Sequence, residues 1–190
     1  MTADQLTRRV AKPLVFLLCL LPLAWIAAGV FGRFGVSLGA NPIEKMQDTL
    51  GIWGLRFLLI TLAVTPFREL LGWPLLQLFR RMLGLFGFFY VSAHFLFYLF
   101  VDQGIDWRLW IEDIAKRPFI TVGFTAFLLL VPLAVTSTRR AMRRLGRRWQ
   151  RLHRLVYVAA ALGCWHFWWQ VKADIREPLV YAAILAALLA

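Results

Sequence analysis

The chain has 190 residues, 61% of them apolar and 17% charged, and a formal net charge of +12. That composition leaves too little polar surface to keep a soluble domain of this size dissolved, so lipid is the expected solvent for most of the chain. The positive charge does not point to nucleic acid, because Lys and Arg gather in short connections between apolar runs of membrane-spanning length.

A hydrocarbon core of roughly 30 Å takes about 20 apolar residues in a helix. Residues 13–31, 50–66, 82–101, 118–136 and 152–171 meet that requirement. A sixth apolar run, 179–190, is cut at Ala190 and is expected to continue in the natural protein. The expected fold is therefore all-α, a polytopic transmembrane helix bundle of six spans forming one transmembrane domain over 1–190. No small-residue cleavage pattern follows the first run, which reads as a retained span and not as a signal peptide. Pro13, Pro118 and Pro178 stand at span starts, where a missing N–H costs little. Pro22 and Pro132 stand within spans and are expected to kink them. No internal repeat is evident.

Cytoplasmic loops of membrane proteins collect Lys and Arg. With the N-terminus inside, fourteen basic residues fall on the cytoplasmic side, among them Arg8, Arg9, Arg80, Arg81 and the eight arginines from Arg139 to Arg154. Seven fall outside, Arg33, Lys45, Arg108, Lys116, Arg117, Lys172 and Arg176, together with eight of the ten acidic residues. An N-terminus in the cytoplasm is the expected orientation. Cys19 and Cys164 stand singly in apolar stretches, which speaks against a disulfide, zinc or iron–sulfur site.

The chain has three histidines, His94, His153 and His166, all in or at the edge of expected spans. An ionisable group at membrane depth is a functional candidate. At 1.5 Å per residue His94 lies about 18 Å above the cytoplasmic start of the third span, and His166 about 21 Å above that of the fifth. The two are expected to be level, and two neutral imidazoles facing each other suit the iron of a b-type haem. Gly87 falls within about 20° of His94 on the same helix face, with Gly84 on its flank. Ala159 and Gly163 stand in the like relation to His166. Such small residues give either a smooth wall for a macrocycle or close helix packing. His153 lies roughly 20 Å from His166 along the helix. It is either an interfacial side chain among Arg151 and Arg154 or the anchor of a second haem. Arg56, inside the second span, either snorkels outward or pairs with a haem propionate. The Arg139–Arg154 stretch suits anionic lipid, a cytoplasmic electron donor or a flavin phosphate. A transporter or channel using intramembrane His as metal or proton ligands is the competing class, and the absence of Asp and Glu within the spans weighs against it.

Four segments carry a family resemblance: TLAVTPFRELLG from Thr61, RRMLGLFGFFYVSAHFLFYLFVDQ from Arg80, DIAKRPFITVGFTAFLLLVPLAVTS from Asp113 and LGRRWQRLHRLVYVAAALGCWHFWWQVK from Leu145. They resemble the MsrQ (YedZ) family, haem-binding membrane subunits within the ferric-reductase-like transmembrane superfamily, over nearly the whole chain. The resemblance implies a six-helix cytochrome of the bacterial inner membrane, with haem ligands at His94, His153 and His166 and one or two haems b. It implies electrons passing from quinone or a cytosolic flavin reductase to a periplasmic molybdopterin subunit, MsrP, which reduces methionine sulfoxide in oxidised envelope proteins. Sulfoxide chemistry then belongs to the partner, and no catalytic residue is assigned in this chain. FMN is attributed to the family as well, although no flavin fingerprint is legible here.

Overall fold

The computed structural model describes residues 2–171 and 174–190; Lys172, counted above on the outer side, lies outside the described residues. Every regular element among them is a helix. The chain divides into two compact units, 1–102 and 103–190.

The first unit holds α1 (Ala3–Val30), α2 (Pro42–Leu70) and α3 (Pro74–Asp102), each long and apolar enough to cross a membrane. Asn41 starts α2, its side chain accepting from the Glu44 N–H at 3.3 Å, and Pro42 follows in the first turn, where its missing N–H leaves nothing unpaired. α2 packs on α3 through small residues. A Cβ on Gly54 would lie 2.7 Å from Val91 Cγ2, and one on Gly87 would lie 3.0 Å from Leu58 Cδ2. This close approach buries Leu50, Phe57, Val64, Leu83, Phe86 and Tyr90 in one apolar cluster.

The kink expected at Pro22 is present as a break, with α1 interrupted at Leu20. Proline lacks the N–H that would bond the carbonyl four residues back, and its ring crowds that carbonyl. Tyr90 of α3 fills the opening: its hydroxyl donates to the Cys19 carbonyl at 2.8 Å and accepts from the Leu23 N–H at 3.3 Å. Cys19 and Leu23 are the pair an unbroken helix would bond directly, so a hydroxyl from another helix bridges one missing rung. Pro132, by contrast, sits inside a helix that continues to Val135.

The second unit holds α4 (Trp107–Lys116), α5 (Pro118–Val135), α6 (Arg139–Leu145), α7 (Arg147–His153), α8 (Leu155–Gln170) and α9 (Arg176–Leu189). Only α5 among them has the length and apolarity for a full crossing, which gives four such helices among the described residues against the six spans expected. The fifth apolar run is divided by a turn at Arg154, leaving a helix of 16 residues, and the sixth is a helix of 14. At 1.5 Å per residue these rise about 24 and 21 Å, less than a hydrocarbon core of roughly 30 Å.

Two features were not legible as separate elements. α4 lies just before α5 and is strongly two-sided, with Trp107, Ile111 and Ile114 along one face and Arg108, Glu112 and Lys116 along the other. The arginine-rich stretch is two short helices separated by Gly146, whose φ of 51° lies in the region open chiefly to glycine. Elsewhere α5 packs on α8, burying Ala126, Leu130, Ala159, Ala160 and Cys164, and α9 adds Tyr181 against Phe167 at 5.8 Å.

Candidate functional site

In the first unit, Gln47 and Gly51 stand one helical turn apart on α2 and face His94 of α3. The His94 Nδ1–H donates to the Gln47 backbone carbonyl at 2.9 Å. A carbonyl can only accept, so the ring proton is on Nδ1 and the lone pair on Nε2. Gly51 makes the approach feasible: a Cβ there would lie 2.9 Å from both Cε1 and Nδ1 of the ring. The Gln47 side chain lies alongside, its amide nitrogen 3.5 Å from His94 Nε2, while its buried Oε1 has no hydrogen-bond partner among the described residues.

In the second unit the same arrangement recurs on α5 and α8. The His166 Nδ1–H donates to the Phe119 carbonyl at 2.7 Å. A Cβ on Gly123, one turn after Phe119, would lie 2.8 Å from His166 Nδ1. In both units 47 residues separate the accepting carbonyl from the histidine, and the glycine follows the carbonyl by four. Where the first unit has the Gln47 amide, the second has the Phe119 ring, stacked 6.2 Å from the imidazole. A histidine whose Nδ1–H is held by a backbone carbonyl is the usual form of a metal-ligating imidazole, because that bond fixes the tautomer and strengthens Nε2 as a donor. Each of the two residues, taken within its own unit, thus fits the chemistry of a ligand to haem iron.

His153 is held differently. Trp149 stacks on it at 3.8 Å, and its Nε2 lies 3.0 Å from the Thr136 hydroxyl. That hydroxyl spends its single proton on the Pro132 carbonyl at 2.6 Å, so the His153 Nε2–H donates to Thr136 Oγ1. The Trp149 indole N–H closes the group by donating to the Thr136 carbonyl at 3.0 Å. His153 therefore carries the opposite tautomer, with its lone pair on Nδ1.

Arg56, half-buried on α2, places its guanidinium 4.9 Å from the Trp53 ring centroid. Gly87 is buried against Leu58, so packing between α2 and α3 accounts for its lack of a side chain. Arg80 donates to the Thr65 hydroxyl at 3.0 Å, joining α3 to α2. Among the described residues no group of three or more His, Cys, Asp or Glu converges as a metal cluster would. Sequence reasoning missed Gln47, Gly51, Phe119, Gly123 and Thr136. The one signal available for the first four was the recurrence of a single spacing before two histidines.

The family described as the ferric reductase like transmembrane component matches residues 50–164, a segment that takes in Gly51, His94, Gly123 and His153. The chain is 56% identical to a Rhodospirillum rubrum protein named protein-methionine-sulfoxide reductase heme-binding subunit MsrQ, over 96% of this chain and 86% of that one. The chain belongs to the MsrQ family. Proteins of the same name from Xanthomonas oryzae pathovar oryzae and Xanthomonas campestris pathovar campestris are 52% and 58% identical to it. Those matches cover 95% and 80% of this chain and 84% and 70% of theirs. No solved structure matches. Membership of a transmembrane family and four helices of membrane-crossing length make this an integral membrane protein.

Proposed function

We propose that this chain is the b-haem membrane subunit of a methionine sulfoxide reductase system. In this reading it passes electrons from quinone or a cytosolic flavin reductase to a periplasmic molybdopterin partner, MsrP, which repairs oxidised envelope proteins. The observation that carries the reading is the pair of histidines in one tautomer, each with Nδ1–H tied to a carbonyl, in a chain whose relatives are named heme-binding subunits. Haem iron, when bound, supplies a one-electron carrier that no side chain of this protein can replace.

His94 and His166 would hold the haem iron through Nε2, on the strength of their tautomers and of the common depth expected from the sequence. His153 would be the anchor of a second haem. Arg56 is the proposed partner of a haem propionate. The arginines of α6 and α7 are proposed to face the cytoplasm, meeting anionic lipid headgroups or the phosphate of FMN. The proposed topology has six spans in the bacterial inner membrane with the N-terminus inside, the two shorter helices crossing with their flanking residues.

The direct test is a reduced-minus-oxidised difference spectrum of the purified chain, made with ample haem. Bands of a b-type cytochrome are expected, together with reoxidation on adding the periplasmic reductase and methionine sulfoxide. A folded protein lacking a Soret band overturns the proposal.

A further inference from the structure

Gly51 and Gly123 are placed where glycine is a poor choice for a helix. Both are interior to long helices, α2 and α5, where glycine costs stability relative to alanine. Neither has a positive φ, so no special backbone conformation calls for one. What each supplies is room. The atoms a Cβ would meet are those of one imidazole, at 2.9 Å in the first unit and 2.8 Å in the second, closer than real Cβ contacts allow. The helix backbone cannot yield, so the ring must. A rotation that relieves the clash lengthens the bond from Nδ1 to the carbonyl one turn earlier, and with it goes the restraint that keeps the lone pair on Nε2.

We infer that Gly51 and Gly123 are positioning residues for His94 and His166, each holding open the space in which its imidazole lies against a helix backbone and is fixed in one tautomer. The inference rests on the haem reading only for the identity of the ligand. The geometry is a property of the protein, and it occurs in two units with the same spacing between carbonyl, glycine and histidine. Gln47 and Phe119 contribute through their carbonyls, so their side chains are free to differ, as they do.

The test substitutes Gly51→Ala and Gly123→Ala separately in the full chain. Haem-free protein labelled with nitrogen-15 at histidine reports tautomers by NMR. Haem-loaded protein reports ligand orientation by the electron paramagnetic resonance of the ferric state, and ligand strength by the rate of haem loss to apomyoglobin. Each variant is expected to retain wild-type helicity, to shift its own histidine from the Nδ1–H form to a mixture, and to lose haem about tenfold faster or more, the scale typical when a metal ligand loses its hydrogen-bonding support. Unchanged tautomers in both variants overturn the inference, and so does collapse of helicity in both, which would make the glycines packing residues. Should one variant fail to fold, the other decides, because each glycine lies in a different unit. Wild-type protein without haem would remove the proposed function, yet the tautomer shift in the variants would still support the positioning role.

Discussion

Three imidazoles in one chain are distinguished by where each keeps its proton. His94 and His166 give theirs to backbone carbonyls, while His153 gives its own to a threonine hydroxyl that is itself committed to Pro132. Thr136→Val removes that acceptor and leaves the His153 N–H and the Trp149 stack to find another arrangement. The expected loss is about 1 kcal/mol, the scale of one hydrogen bond, read as a lower thermal midpoint in detergent; an unchanged midpoint would mean that the stack alone holds the ring. The histidines themselves were legible, since a rare ionisable residue inside an apolar run stands out. Their partners were not. A carbonyl acceptor has no residue type, and Gln47 and Phe119 share nothing in sequence except their distance from a histidine.

Among the elements, the break in α1 shows how much a single side chain can depend on tertiary placement. Pro22 announced the interruption, but nothing in the first 40 residues indicated that Tyr90 would close it. With its ring fully buried and its hydroxyl bonded to both Cys19 and Leu23, Tyr90 serves two backbone groups that lipid cannot. Tyr90→Phe leaves the ring packing in place and strands both groups. A destabilisation of roughly 1–3 kcal/mol is expected from the unsatisfied donor and acceptor, seen in thermal unfolding. No change in the midpoint would indicate that α1 straightens and forms the direct bond from Leu23 to Cys19. Helix positions were otherwise readable from apolar length. The turn at Arg154 and the separate helix α4 escaped because hydropathy registers how apolar a segment is and not where its backbone turns.

At the scale of the whole molecule, the class was plain from composition and the family from four sequence segments. The number of crossings was less accessible, because two of the six apolar runs form helices shorter than the bilayer core. The proposed topology makes a concrete prediction. Alkaline phosphatase fused after Arg108 should be active and the same reporter fused after Arg148 inactive, since that topology puts the first position in the periplasm and the second in the cytoplasm. The reverse pattern would invert the orientation. The central proposal, that this bundle carries haem through His94 and His166, is tested most directly by the haem-to-protein ratio of the purified chain and of His94→Ala, His166→Ala and His153→Ala. One or two haems per chain in the wild type are expected, with the same haem lost in the His94 and His166 variants and any second haem lost only in the His153 variant. Full haem content in both His94→Ala and His166→Ala would contradict it.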